Sequence, residues 1–137
     1  MRMHAKATGL LTALVAAGVV LAPPASAAEA AWTDVELMVV HEHGAAVKAR
    51  LTCPPTSEST HPDSQAACAA LDAVAGDLDV LPVDTEAQCT YEWMPLTASA
   101  TGVINGRPVE WAKEYPNQCV LDRETGVVFA VEAPQPA

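Results

Sequence analysis

The chain has 137 residues and 14.3 kDa, enough for one domain and a removable leader but too little for an enzyme built around a large two-domain cleft. Seven Lys and Arg stand against 17 Asp and Glu, a formal net charge of -10, so the surface repels a phosphate backbone and argues against nucleic acid as a partner. Half of the residues are hydrophobic but only 4% are aromatic, so Ala, Val and Leu have to supply the core.

The first segment carries Arg2 and Lys6, then an uncharged run over residues 7–22, then Pro23-Pro24 and Ala25-Ser26-Ala27. This order of basic start, apolar run, helix break and small-residue site predicts a secretory signal peptide over residues 1–27, with Ala30 as the alternative cleavage point. The run contains Thr8, Gly9, Thr12 and Gly18 and falls short of the roughly 20 apolar residues of a membrane span. Residues 28–137 then form one exported, extracellular domain with no membrane association after cleavage. All 17 acidic residues lie in that part.

Within the domain, residues 35–40 (VELMVV) read as a strand, His41-Glu42-His43-Gly44 as a turn, and residues 46–52 as a second strand with Val47, Ala49 and Leu51 alternating. The Pro- and Ser-rich stretch over residues 54–63 reads as loop. From Ser64 the period becomes helical: Ala67, Cys68, Leu71, Val74 and Leu78 share a face, with Ser64 as N-cap and Gly76 as stop. Residues 77–88 are polar and irregular, and residues 89–95 extended. Residues 98–104 and 107–115 flank Asn105-Gly106, a strong hairpin signal. Residues 126–131 (GVVFAV) read as a last strand. The expected class is α+β: a five-stranded antiparallel sheet with one main helix and one short helix.

Cys53, Cys68, Cys89 and Cys119 are even in number, face an oxidising compartment and include no CxxC pair, so two disulfides are expected and a zinc site is not. Spacing leaves three connectivities open. If neighbours pair, the bridges close loops worth about 3 and 3.5 kcal/mol in the chain-entropy model.

Catalytic patterns are missing: the sequence contains no G-x-S-x-G elbow, H-E-x-x-H or Gly-rich phosphate loop. His41 and His43 would share one face of a strand as two metal ligands, but no third ligand follows at readable spacing, and a solvated hairpin end explains them better. His61 sits beside Pro62 in a loop of structural character. The scattered carboxylates read as an acidic surface. No enzyme, metal or cofactor is expected. Cys89-Thr90-Tyr91-Glu92-Trp93-Met94-Pro95 stands apart: two large aromatics follow a half-cystine in an extended stretch closed by proline. Burial of Tyr91 and Trp93 in a strand, or presentation on a recognition loop, fits these letters equally well.

The chain resembles the Streptomyces subtilisin inhibitor family of secreted serine-protease inhibitors. The resemblance rests on Leu51-Thr52-Cys53-Pro54, Thr60-His61-Pro62, Ala67-Cys68-Ala69-Ala70-Leu71 with Gly76-Asp77-Leu78, residues 89–95, Asn117-Gln118-Cys119 and Val127-Val128-Phe129-Ala130, with all four cysteines at the family's spacing. It implies the pairing Cys53–Cys68 and Cys89–Cys119, a five-stranded antiparallel sheet with helices on one side, and a homodimer formed through the sheets. It also implies that the second residue after the third cysteine enters the primary pocket of a serine protease. That residue is Tyr91, so the reactive bond is Tyr91–Glu92, the binding loop includes Gln88, Cys89, Thr90, Trp93 and Met94, and Asn117 supports it from beneath. The Thr90 hydroxyl is expected to brace the loop locally.

An aromatic at Tyr91 favours subtilisin-like and chymotrypsin-like enzymes with apolar pockets and disfavours trypsin, whose pocket holds an aspartate. Glu92 replaces the uncharged residue more usual after the bond, and Met94 stands where a polar residue is expected. Desolvating an unpaired carboxylate costs about 1–3 kcal/mol, so Glu92 either narrows the targets to proteases with a basic subsite or marks a weakened inhibitor. Two other functions compete: a secreted binding module that kept the fold without inhibition, and a metalloprotease inhibitor acting through another face near Leu51 and Cys53.

Overall fold

The computed structural model describes residues 18–22 and 31–132. The expected leader thus lies almost wholly outside the described residues, and both proposed cleavage points do so entirely. Residues 18–22 have no regular secondary structure, and among the described residues no helix is long and apolar enough to cross a membrane.

Four strands, β1 (Thr33–His41), β2 (Ala46–Cys53), β3 (Leu96–Ile104) and β4 (Arg107–Tyr115), make an antiparallel sheet in the order β2-β1-β3-β4. Period-two alternation decides which side is buried. Val35, Leu37 and Val39 of β1 align with Leu51 and Ala49 of β2 and with Ala100 and Ala98 of β3 on one apolar face. The opposite face is polar: Arg50 donates to Asp34 at 2.8 and 2.6 Å, and Lys48 to Glu36 at 3.0 Å. The β3–β4 hairpin turns at Asn105 and Gly106, both at positive φ (50° and 75°), as a two-residue turn matched to strand twist requires. In β3, a Cβ on Gly102 would strike the Asp34 carbonyl of β1, so only glycine fits there.

Against the apolar face lie helices α1 (Ser64–Ala73) and α2 (Gln118–Thr125) and two 3-10 turns, Leu78–Val80 and Gly126–Phe129. Ala67, Cys68 and Leu71 of α1, Leu121 of α2, and Val128 and Phe129 complete the core. Two expectations are corrected. Asp63, not Ser64, caps α1, its Oδ1 accepting from the Ala66 N–H at 3.1 Å. Among the described residues the sheet has four strands, not five, because residues 126–129 coil instead of extending. Gly126 turns the chain at φ 56°, and the next residues push Val128 and Phe129 between the two helices. A short apolar run carries no period to tell these outcomes apart.

The disulfides Cys53–Cys68 and Cys89–Cys119 are both formed. The first ties β2 to α1. The second ties the irregular segment before β3 to the first turn of α2.

Candidate functional site

The segment between the Leu78–Val80 turn and β3 has no regular secondary structure, yet it is held along its length by backbone bonds. At its start the Asp84 N–H donates to the Arg123 carbonyl at 2.8 Å, and Asp84 Oδ1 accepts from Glu86 and Ala87 at 3.0 and 3.3 Å. This side-chain turn is what aspartate favours in loops. Cys89 is bridged to Cys119, and the Gln88 carbonyl lies 3.7 Å from Cys119 Sγ.

The centre of the segment depends on Asn117. Its backbone is extended (φ -167°, ψ 170°) at the N-cap of α2, and its Oδ1 accepts from the Val120 N–H at 3.0 Å. The same carboxamide then has its Nδ2 directed away from the helix. That nitrogen donates to the Thr90 carbonyl at 3.1 Å and the Glu92 carbonyl at 2.8 Å. Asn117 is buried, so these bonds are shielded from water. The two carbonyls flank Tyr91, whose side chain is fully exposed. Thr90 is held through this carbonyl.

On the other side of Tyr91 the Met94 N–H donates to the Pro116 carbonyl at 2.9 Å, and the Glu42 N–H of the β1–β2 turn donates to the Pro95 carbonyl at 3.1 Å. Trp93 and Met94 remain 66% and 62% exposed. Of the two readings the letters allowed, burial in a strand is excluded. Tyr91, Trp93 and Met94 form an apolar projection on a loop whose main chain is tied down, and Glu92 is exposed among them. The anchors supplied by Pro116, Glu42 and Arg123 were not anticipated, since backbone groups leave no mark in the letters.

The other candidate residues do not join this site as chemistry. His61 is buried, its Nε2 bonded to the Val128 carbonyl at 3.1 Å and its Nδ1 accepting from the Asp63 N–H at 3.0 Å, a structural role in which it links the loop before α1 to the C-terminal turn. His41 ends β1 and His43 lies in the turn, and the described residues contain no group of three or more His, Cys, Asp or Glu placed to hold a metal ion.

Comparison with known proteins gives the same direction. Residues 31–117 match the family described as subtilisin inhibitor-like. The chain is 38% identical to a subtilase-type protease inhibitor of Streptomyces fradiae, over 94% of this chain and 99% of that one. It is 36% identical to a subtilase-type protease inhibitor of Streptomyces coelicolor, over 82% of this chain and 83% of the relative. Among solved structures, Streptomyces caespitosus sermetstatin, crystallised in complex with Bacillus licheniformis subtilisin, superposes with a TM-score of 0.61 at 31% identity, over 72% of this chain and 98% of that one. A two-disulfide α+β domain, a loop tethered through its main chain and a family match over residues 31–117 together lead to one assignment: this chain belongs to the subtilisin inhibitor-like family, a family of protease inhibitors and not of enzymes.

Proposed function

We propose that the chain is a secreted inhibitor of subtilisin-like and chymotrypsin-like serine proteases, acting through a substrate-like loop with its reactive bond at Tyr91–Glu92. The observation that carries this reading is the pair of bonds from Asn117 to the carbonyls on either side of an exposed Tyr91. The Tyr91 side chain fills the protease's apolar primary pocket, and its carbonyl lies at the nucleophilic serine and the oxyanion hole. Because the loop is already ordered, binding loses little conformational entropy.

The same tethers explain why such a loop resists turnover. If the bond is cleaved, Cys89–Cys119 keeps the acyl side in place, while Asn117 and the Pro116 carbonyl keep Glu92 and Met94 in place. The new amine of Glu92 therefore stays beside the acyl carbon and competes with water for it, so resealing outpaces hydrolysis. Export through a leader ending at residue 27 or 30 places the domain with its targets, and pairing through the polar sheet face would make the working unit a homodimer.

Titration of subtilisin and chymotrypsin with the purified domain tests the reading. Stoichiometric inhibition, with a slowly formed new N-terminus at Glu92, is the expected result. Rapid cleavage without inhibition, or no effect on either enzyme, would overturn it.

A further inference from the structure

We infer that the β1–β2 turn, residues 41–44, is a second contact with the protease, receiving an apolar side chain from the enzyme's rim on the leaving-group side of the reactive bond. This rests on the Tyr91–Glu92 reading above. Between the turn and Trp93, Met94 and Pro95 lies an open groove of about 380 Å³. It is a constructed feature of the fold. His41 is paired with Leu96 in the β1–β3 register, and the Glu42 N–H is bonded to the Pro95 carbonyl at 3.1 Å, so backbone pairing joins the two walls.

The occupant follows from position. One wall consists of the second, third and fourth residues after the proposed bond, and at about 3.3 Å per residue the groove starts within about 7–10 Å of it. A protease interface of ordinary size covers about 800 Å² per partner, a disc of roughly 16 Å radius, so an enzyme seated on Tyr91 also covers the groove. Trp93, Met94 and Pro95 form one wall and the turn, including Glu42, the other, and most of the lining surface is apolar. Such a surface gains by excluding water against an apolar partner atom and not against a charge. The side chains of His43 and Glu42 are 90% and 56% exposed and within 4.0 Å of each other, so they stand accessible to a partner.

Subtilisin inhibition by the full domain, by H43A and by the double variant H41A/H43A tests this, with Arg107→Ala at the far hairpin and Tyr91→Ala as references. The expected result is an inhibition constant raised about tenfold in the double variant and severalfold in H43A, through faster dissociation, with R107A unchanged and Y91A far weaker. Hydrogen exchange on the unmodified complex should slow at the turn amides relative to the free domain, most of all at His43 because Glu42 and Gly44 already donate within the fold, and this does not depend on any variant folding. Unchanged constants and turn-amide exchange unchanged on binding, with Y91A still weakened, would overturn the second contact and leave the loop reading intact. An unweakened Y91A would instead remove the loop reading and this contact with it.

Discussion

In Asn117 the two ends of one carboxamide serve different elements: Oδ1 caps α2 and Nδ2 holds two loop carbonyls. These duties are separable by substitution. Asn117→Asp keeps a good cap acceptor but turns a second oxygen toward the carbonyls of Thr90 and Glu92, so α2 should persist while the loop is released. The expected outcome is a small change in melting temperature and much faster cleavage at Glu92 by subtilisin, read by N-terminal sequencing over time. Asn117→Ala loses the cap too, costing about 1 kcal/mol more in a denaturant titration. At Tyr91 the side chain touches nothing in the fold, so Tyr91→Lys should leave stability unchanged and move inhibition from chymotrypsin toward trypsin. An exchange that abolished both inhibitions would place the specificity residue elsewhere.

Among the elements, the helix-and-loop unit depends on Cys89–Cys119, which closes a loop of sequence separation 30. Its removal by paired Cys→Ser substitution should cost about 3.5 kcal/mol in the chain-entropy model and turn the inhibitor into a substrate, checked by urea unfolding and by digestion with subtilisin. Strand β4 predicts an alkaline weakness. The Lys113 ammonium donates to Glu124 at 2.8 Å and is held above its ordinary pKa, and burial pushes the Tyr115 phenol up as well. Both groups bind their protons more tightly folded than unfolded, so this stability is fully present below about pH 10 and is lost as pH rises through the folded pKa values. Melting temperatures at pH 8 and pH 11 should show the fall, and it should shrink in Tyr115→Phe. At the acid end Asp34 behaves oppositely: the guanidinium of Arg50 lowers its pKa, and its contribution fades only as pH drops below the ordinary carboxylate range.

What could be read at this scale was what periodicity or turn chemistry writes down. Strands β1 and β2 follow from alternation, α1 from Ala67, Cys68 and Leu71, and the hairpin from Asn105-Gly106. Helix α2 is eight residues long with only Leu121 and Thr125 buried, so it has almost no apolar stripe to announce it. The final apolar run misled because tertiary packing, not propensity, coils residues 126–129. The cysteine pairing came through resemblance, since four cysteines alone permit three arrangements.

For the whole molecule, the sheet has one face under the helices and one open. Along the middle of the open face run Met38, Ser99 and Ala112, small or flexible side chains aligned across three strands, with charged residues to one side. If two copies pair there, sedimentation velocity should give twice the monomer mass, and Ser99→Arg should halve it while subtilisin inhibition survives. A wild-type monomer at micromolar concentration would refute the pairing. The net charge of -10 argues against a nucleic-acid partner without reference to any fold, whereas the site needed the fold, because residues 42, 84, 90, 92, 94, 95 and 116 are held through main-chain atoms that any amino acid possesses. That last feature has a practical side. A loop anchored by its peptide groups leaves the side chains at positions 91–94 uncommitted to the fold, so they behave as an interchangeable cartridge: a library randomised there should fold nearly as uniformly as the parent and could be selected against proteases of quite different appetite.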